Sequence, residues 1–537
     1  MESERYRNIS YATVGGFEAV LQHGKPVAVR GEVTREVLGR GTLIEKPYER
    51  FPFLPGRLGD PFALLAESLW VLAGRNDLEW LSHYLPRATQ FSDDGCVWRA
   101  GYGPRLRNWK GVDQLREVYR LLADDRTSRR AVVTLFDPAS DFENSRDIPC
   151  NNWLSWLVRE GRLLLNVAMR SNDAMWGFSG INSFEWSVLQ ELLAGWLDVE
   201  TGPAYFLASS FHIYERDGHL RRAAAVISQF PRTTPYELGV STPRLSLAPA
   251  KFDTALSDWF EAEENVRLNP EKWPIGNEPS DPFLLAALRT IRLKWGAQIW
   301  NVERLRAELH ACPDDDFTAA AYERLGRGWP ELLSGIPQHG IRRYFELASR
   351  AGLSLDTLKA AVDQLHRRKN SGYGAAWKRR GERISILPNI ARKIDRLDHF
   401  DTTGAALVGE TTFDTAVDLL VYVLKYELYL AEQSPELAVA LGLNGVTRPF
   451  SEFDEDFTTA LYATTIDQEG NEAVQQELRH AVASFEDLWP RVERQDALTA
   501  RIAAVARLRQ HAERLVAALA RAQPSVASAF MQQWATA

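Results

Sequence analysis

The chain has 537 residues, of which 45% are hydrophobic and 25% are charged, so it is longer than one hydrophobic core usually organises. Its net charge is -8 and it has no long basic run, which argues against a partner made of polymeric nucleic acid. Two or three globular domains are therefore expected.

The cysteines and the apolar segments indicate the compartment. Cys96, Cys150 and Cys312 lie far apart and fit neither a zinc site nor a disulfide framework. The longest apolar stretch, residues 61–74, is shorter than the roughly 18 to 20 residues that a bilayer requires. The polar residues 1–5 do not begin a secretory signal. These features predict a cytoplasmic protein without a membrane span.

The pattern of apolar residues changes along the chain. Residues 163–169 read as a strand and residues 184–197 as a helix, whereas beyond residue 311 helical spacing dominates, as in residues 496–523. The acidic run and the Pro and Gly residues after position 311 are typical of a boundary. The sequence thus predicts an α+β catalytic domain over residues 1–311, a linker over residues 312–337 and an all-α domain over residues 338–537.

A candidate nucleophile stands between two predicted strands. Cys150 follows Pro149, and a thiolate is a strong nucleophile whose pKa falls when cationic groups lie nearby. A free cysteine is, however, more often a small buried hydrophobe. Cys150 alone leaves both interpretations open.

Polar side chains follow the next predicted strand. Arg170 offers a bidentate fork to phosphate oxygens, Ser171 adds a neutral donor, and Asp173 adds a carboxylate. A strand-end turn with a salt bridge would use the same residues, just as a solvated charge cluster would explain Arg129 and Arg130. Each pattern taken singly fits phosphate binding and ordinary surface chemistry equally well.

Taken together, the motifs form one ordered series along the chain. They are residues 66–77, 101–103, 128–130, 149–150, 170–173, 177–182 and 211–214. In order and approximate spacing this series resembles thymidylate synthases and the related nucleotide hydroxymethylases, over about the first 300 residues. The resemblance implies an α+β fold built on a bent β-sheet and a homodimer.

The resemblance also implies a covalent mechanism. Cys150 would attack C6 of a pyrimidine, so that C5 becomes nucleophilic toward the methylene group of methylene-tetrahydrofolate. Glu67 would organise water and proton transfer at the base, and desolvation within its apolar segment could tune it for this task. Tyr102 would assist proton removal from C5, and Asp173 would contact the folate. An exposed helix position for Glu67 and a packing role for Tyr102 are the ordinary alternatives.

A nucleoside monophosphate is the substrate that the resemblance implies. Arginines and a serine would bind its phosphate, and two of the arginines would come from the opposite subunit of the homodimer. The ligands within one subunit would be Arg30, Arg170 and Ser171, and those from the other subunit would be Arg129 and Arg130.

The base and the sugar would be recognised by three further residues. His212 and Tyr214 match residues that hold the sugar 3'-hydroxyl, although a His-x-Tyr pair on a strand can also be ordinary packing. Asn182 matches an amide that reads the base edge, since one amide can donate to O4 and accept from N3–H of uracil. The resemblance therefore slightly favours dUMP.

Three departures from the synthase pattern bear on the product. Asn151 stands where synthases usually have histidine, and residues 177–182 are one residue longer than usual. The chain also continues for over two hundred residues past the point where a synthase closes its site with its carboxyl terminus. Closure excludes water, and a site that admits water would produce a hydroxymethyl group. Hydroxymethylation is therefore preferred over reductive methylation, and a catalytically retired nucleotide-binding module is the third alternative.

The second half resembles, over short segments, a helical domain associated with nucleotide modification. Glu410, Asp414 and Asp418 recur every four residues, so one helix face would carry three carboxylates that could share a magnesium ion. An acidic stripe paired with neighbouring bases fits the same spacing. The basic residues that could face a nucleotide phosphate are Lys369, Lys393 and Arg396.

Overall fold

The computed structural model describes residues 4–352, 355–403, 411–443, 448–464 and 473–535. It divides into two compact units, Met1–Tyr344 and Phe345–Ala537. The first contains a sheet and helices and the second is helical, which confirms the predicted α+β domain followed by a mostly α-helical one. Within the described ranges, no helix is both long and apolar enough to cross a membrane.

A mixed eight-stranded sheet organises the first unit. Its strands are β1 (Glu4–Tyr6), β2 (Lys25–Val29), β3 (Glu32–Ile44), β4 (Val132–Thr134), β5 (Asn151–Arg159), β6 (Arg162–Met169), β7 (Asn172–Asp173) and β8 (Glu200–Tyr214). The order is β1-β3-β8-β6-β5-β4, with β2 paired to β3 and β7 paired to β8. The pairs β1–β3, β6–β8 and β7–β8 are parallel, and the other pairs are antiparallel.

The β5–β6 hairpin fixes the position of Cys150, the candidate nucleophile. Its two-residue turn, Glu160 and Gly161, has φ values of 51° and 72°, as a right-twisted two-residue hairpin requires. The register pairs Asn151 with Met169. Cys150 and Arg170, one residue beyond each strand, therefore lie side by side at the same end of the sheet.

Helices of the first unit cover one face of this sheet. The alternating residues Leu163, Leu165 and Val167 of β6 are buried beneath α7, in which nearly every residue is buried. The helices are α1 (Ile9–His23), α2 (Pro61–Leu72), α3 (Leu78–Leu81), α4 (Tyr102–Arg107), α5 (Gln114–Asp124), α6 (Pro138–Asp141), α7 (Ser183–Trp196), α8 (His219–Gln229), α9 (Phe252–Leu268), α10 (Pro282–Gly296), α11 (Val302–His310) and α12 (Asp316–Leu325), while α13 (His339–Gly352) spans the division between the units.

The structure differs from the predicted linker over residues 312–337. Helix α12 lies within that segment, and its Phe317 and Tyr322 are buried. The acidic run serves local structure instead of solvation: Asp315 caps α12 by accepting from the N–H of Thr318 at 2.8 Å. Asp314 accepts from the N–H of Gly340 at 2.9 Å. Acidic residues at helix starts satisfy N–H groups that have no partner within the helix. The first unit therefore continues through this segment and ends at residue 344.

The second unit packs around one central helix. Most residues of α16 are buried, including Phe413, Leu420 and Leu424, and α16 packs against α15 and α20. The helices of this unit are α14 (Leu355–Tyr373), α15 (Leu387–Thr403), α16 (Thr412–Ala431), α17 (Pro435–Ala440), α18 (Asp454–Tyr462), α19 (Val474–Glu493), α20 (Leu498–Ala522) and α21 (Pro524–Ala535).

Short helical segments complete the architecture of both units. Two are wide helical turns, Ala174–Asn182 and Glu382–Ile386. The others are tight 3₁₀ turns at Ala88–Phe91, Arg216–Gly218, Pro235–Leu238, Pro249–Lys251, Pro330–Leu333, Gly374–Trp377 and Phe450–Glu452.

Truncation of the central helix tests this packing. Phe413→Ala removes a fully buried ring, and we expect the free energy of unfolding of the helical unit to fall by about 3–5 kcal/mol. Val439 is 62% exposed, so Val439→Ala is the matched control and should change it by less than about 0.5 kcal/mol. Urea unfolding followed by far-ultraviolet circular dichroism measures both. Equal urea midpoints for the two variants would contradict this account of the core.

Candidate active site

Arg170 holds the candidate nucleophile, Cys150, in place through the backbone. Its N–H donates to the carbonyl of Cys150 at 2.9 Å. Its guanidinium donates to the carbonyl oxygens of Pro149 at 2.8 Å and Ile148 at 3.0 Å, while Nη2 lies 3.8 Å from Sγ of Cys150. One side chain thus fixes the segment that precedes the thiol and places a cation beside its sulfur.

The thiol of Cys150 is half-buried, and its environment favours the protonated form. Burial raises its pKa above the ordinary value, Arg170 and Arg30 oppose the rise, and Asp173 and Asp147 add to it. The resting group is therefore a thiol. Its attack on a substrate requires a proton acceptor in the site or an additional positive charge that lowers the thiol pKa.

A hydrogen-bonded relay positions Tyr102. The phenol oxygen accepts from the backbone N–H of Asn151 at 3.2 Å and from its Nδ2 at 2.6 Å. Oδ1 of Asn151 accepts from Nε1 of Trp186 at 3.0 Å, which fixes the orientation of the amide. Because the phenol oxygen accepts twice, its own proton can be donated elsewhere. Burial raises the pKa of Tyr102, so it remains a neutral phenol.

Two carboxyl groups lie near this relay. Glu67 is half-buried on α2, and burial raises its pKa to about 8. Glu185 on α7 is 3% exposed, and its Oε1 accepts from Nδ2 of Asn182 at 3.1 Å. Burial, and then the repulsion that an ionised Glu67 would exert, raise the pKa of Glu185 well above its ordinary value. Both groups are thus protonated at neutral pH, which allows each to donate a hydrogen bond.

Sequence reasoning did not identify Trp186 and Glu185. Both lie on α7, whose otherwise apolar sequence predicts only core packing. A carboxylate within such a helix is costly to bury unless it is hydrogen-bonded or neutral. Glu185 and Glu191 are the two carboxyl groups of this helix; Glu191 is paired with Arg50, and Glu185 was therefore an available signal of a polar site.

The sugar-binding candidates adjoin Asp173 on the sheet. The register of β7 and β8 pairs Asp173 with His212. The carboxylate of Asp173 accepts from two backbone N–H groups of the following turn, at 2.7 and 3.3 Å, and burial raises its pKa against the opposing charge of His212. The rings of His212 and Tyr214 meet edge to face with centroids 5.3 Å apart. Nδ1 of His212 lies 3.3 Å from Oγ of Ser210.

The remaining phosphate-ligand candidates divide into two groups. Ser171 directly follows Arg170 and is half-buried, and Arg30 occupies the exposed tip of the β2–β3 hairpin, where its charge reaches Cys150. Arg129 and Arg130 are exposed ahead of β4, and neither guanidinium has a hydrogen bond or ion pair with another described residue.

Sheet register separates Arg129 and Arg130 from Cys150 of the same chain. Val132 pairs with Ser155, which is five residues from Cys150. Arg130 lies two residues further away, so the offset along the strand is about 23 Å at roughly 3.3 Å per residue. The structure therefore brings Arg30, Arg170 and Ser171 to the end of the sheet that carries Cys150, and does not bring Arg129 and Arg130 there.

The proposed acidic face of the helical unit is occupied by local contacts. Asp414 completes the capping box of α16 by accepting from the N–H of the N-cap residue Thr411 at 3.0 Å. Asp418 accepts from Nζ of Lys369 at 2.6 Å and from Nζ of Lys393 at 2.7 Å. Glu410 lies outside the described residues. Within the described residues, the carboxylates predicted to share magnesium do not converge, because one serves a cap and the other is paired with two lysines.

Comparison with known proteins places this site in a family. The sequence profile described as thymidylate synthase matches residues 15–263. The chain is 41% identical over 212 residues to the deoxyuridylate hydroxymethyltransferase of Bacillus phage SP01, which covers 37% of this chain and 55% of that protein. It is 34% identical over 209 residues to the deoxyuridylate hydroxymethyltransferase of Pseudomonas phage M6, with 38% and 60% covered.

An archaeal relative is matched over most of its length. The protein named "Putative thymidylate synthase" of Methanothermobacter marburgensis is 32% identical over 201 residues, covering 37% of this chain and 86% of that protein. The chain belongs to the thymidylate synthase family. It spans little more than half the length of the phage relatives that it matches.

The raised pKa of Glu67 predicts a pH-dependent contribution to stability. Because its folded pKa of about 8 exceeds the ordinary value of 4.5, the folded state holds a proton that the unfolded state has lost. Stability therefore falls as pH rises from about 5 to 8, by about 1.4 kcal/mol for each unit of pKa difference. Glu67→Gln carries no charge and should lose less stability than the wild type between pH 6 and pH 9, measured by urea unfolding.

Glu79→Gln is the matched control, since Glu79 is exposed on the neighbouring helix α3. Its pH profile should follow that of the wild type. If the Glu67→Gln profile also followed the wild type, the carboxyl would not be protonated in the folded protein.

Proposed function

We propose that this chain transfers a one-carbon unit from methylene-tetrahydrofolate to C5 of dUMP and releases the 5-hydroxymethyl nucleotide. The observation that carries the proposal is the placement of the Cys150 thiol beside Arg170, within one site that also holds Tyr102 and two neutral carboxyl groups. The printed names of the two phage relatives support dUMP as the nucleotide and hydroxymethylation as the reaction.

The proposed reaction begins at the thiol. Cys150 loses its proton and forms a bond from Sγ to C6, and the displaced electron pair gives C5 carbanion character. A neutral Glu67 can donate its proton toward O4 as negative charge develops there, which an ionised carboxylate could not do. Asn182, held at Nδ2 by Glu185, retains one N–H and its oxygen for the base edge.

The carbon arrives at the oxidation level of formaldehyde, which methylene-tetrahydrofolate supplies. C5 bonds to this carbon and loses its proton to water ordered by Tyr102, and tetrahydrofolate leaves. Water then adds to the exocyclic carbon, and breakage of the Sγ–C6 bond restores Cys150. The balance is dUMP, methylene-tetrahydrofolate and water on one side, and hydroxymethyl-dUMP and tetrahydrofolate on the other.

Two side chains near the nucleophile suit the folate. Trp176 is 46% exposed and lies three residues after Asp173, whose side chain is half-buried. A flat exposed indole can stack on a pterin ring, and a carboxylate can accept from its N–H donors. In this assignment Trp176 and Asp173 hold the folate.

A homodimer is supported by a row of residues on one face of the sheet. The register places Trp153 opposite Ala168, Ala168 opposite Leu207, and Leu207 opposite Gly41. These residues form one row across four strands, in which Trp153 is 39% and Leu207 is 41% exposed. Contiguous apolar surface of this kind is typical of protein interfaces. A second copy on this face would bury the row and could bring its Arg129 and Arg130 to the site.

The three free thiols also fit the cytoplasm that the sequence predicts for this reaction. The name of the archaeal relative favours the alternative product, thymidylate, which arises if hydride instead of water reaches the exocyclic carbon. The same assay separates the two products.

Removal of the nucleophile tests the covalent step. With dUMP and methylene-tetrahydrofolate, the wild type should form a nucleotide heavier by one CH₂O in mass spectrometry, without the absorbance rise of dihydrofolate. Cys150→Ser should retain less than about one thousandth of this turnover. Cys96→Ser, at an exposed thiol, is the matched control and should keep full activity.

Two outcomes would contradict the proposal. Full turnover by Cys150→Ser would show that the reaction does not pass through a covalent adduct of Cys150. Formation of one equivalent of dihydrofolate per nucleotide would show that the reaction is reductive methylation and not hydroxymethylation.

The shared site predicts complementation between two inactive variants. Cys150→Ser subunits and Arg129→Ala/Arg130→Ala subunits, unfolded together and refolded as an equal mixture, should regain about one quarter of wild-type activity, since half of the dimers are mixed and each has one intact site. Turnover of the mixture against either variant alone measures this.

Leu207→Arg, added to both inactive variants, should prevent the recovery of activity in the mixture. It should also yield monomers in size-exclusion chromatography with light scattering. Ile299→Arg, at a 61% exposed residue outside the sheet, should do neither. A mixture no more active than its components would show that Arg129 and Arg130 serve their own subunit or none.

A further inference from the structure

The helical unit contains a set of metal-ligating side chains that the proposed reaction does not use. Glu477 and His480 lie on α19, and His511 lies on α20. Oε2 of Glu477 is 3.0 Å from Nδ1 of His511, and the two imidazole rings have centroids 5.0 Å apart. One donor atom from each residue lies within 4.8 Å of the other two.

The fold of the two helices produces this convergence. Only residues 494–497 separate α19 from α20, so the pair forms an antiparallel hairpin. Glu477 and His480 are three residues apart and therefore share one face of α19. His511 lies 13 residues beyond the start of α20 and Glu477 lies 16 residues before the end of α19, so the hairpin register brings them together.

Burial makes the position of Glu477 informative. Its carboxylate is 1% exposed between packed helices, beside the buried residues Leu478 and Ala481. A buried carboxylate needs a positive partner to offset its desolvation. Two arginines near His511 in sequence face other groups: Arg507 pairs with Asp487, and Arg509 pairs with Glu427 and Glu513. The imidazole of His511 contacts this carboxylate, with Nδ1 3.0 Å from Oε2, and His480 lies on the same face of the hairpin.

We propose that Glu477, His480 and His511 bind one divalent transition-metal ion of the zinc type. Two imidazole nitrogens and one carboxylate oxygen suit Zn²⁺ or Co²⁺, whereas Mg²⁺ and Ca²⁺ prefer oxygen ligands throughout. Bonds of roughly 2.1 Å in a tetrahedral site separate the ligands by about 3.4 Å. Donors already within 4.8 Å reach that spacing by small side-chain rotations.

The site is accessible and incomplete in its protein ligands. Both histidines are partly exposed, so an ion can enter from solvent between the two helices. Three protein ligands leave a fourth position of a tetrahedral ion for water. The ion would also join α19 to α20, and it would add its binding free energy to the stability of the helical unit.

Cobalt titration of the full chain tests the site. After chelator treatment, we expect one Co²⁺ to bind per chain with visible d–d absorption and without the sulfur charge-transfer band that binding at a cysteine would give. His511→Ala and Glu477→Gln should abolish this spectrum. His480→Ala should weaken binding by at least about tenfold, since even indirect changes at a metal site commonly cost that much.

His399→Ala is the matched control, at an exposed histidine on α15 of the same unit, and should leave the titration unchanged. Circular dichroism of each metal-free variant verifies the fold, and His480→Ala, at a partly exposed residue, is the variant that leaves the helix packing intact. Equal Co²⁺ affinity in the wild type and in His480→Ala, or a sulfur charge-transfer band in the wild type, would overturn the proposal and leave Glu477 and His511 as a simple hydrogen-bonded pair.

Discussion

The contact between the Arg170 guanidinium and the carbonyls of residues 148 and 149 is the constraint on which the site depends. A guanidinium is planar and its donors diverge at fixed angles. By binding two successive carbonyls, Arg170 holds the chain entering β5 and keeps Cys150 at a defined height above the sheet. Displacement of Arg170 would move the sulfur together with the cation that acts on it, since both are part of one rigid strand-end junction.

The second organising feature is a polar layer embedded in an apolar helix. Trp186 orients Asn151, which orients Tyr102, while Glu185 orients Asn182. None of these groups is ionised, so the layer is largely buried without the desolvation cost of a charge. Preorganised neutral donors can still stabilise charge that develops on a bound base. In this way α7 supplies both the core of the first unit and the inner wall of the site.

Sequence alone could predict the residues whose roles follow from strand ends and ordered motifs, such as Cys150 and Arg170. It could not predict Trp186, because that contact exists only after α7 packs against the sheet. The acidic residues after position 311 looked like a solvated boundary, yet Asp315 is a helix cap, a role that composition does not distinguish from a loop. Asp418 is paired with two lysines, and the sequence could not predict this because the lysines come from other helices, α14 and α15.

The hairpin tip that carries Arg30 has a consequence for any attempt to engineer this protein. Arg30 and Gly31 form a two-residue turn with φ values of 52° and 83°, where asparagine or glycine would suit the first position better than arginine. A left-handed conformation costs a residue such as arginine roughly 1–2 kcal/mol. Thermostabilising searches that score the backbone alone would thus select replacement of Arg30 and remove a cation that lowers the pKa of Cys150.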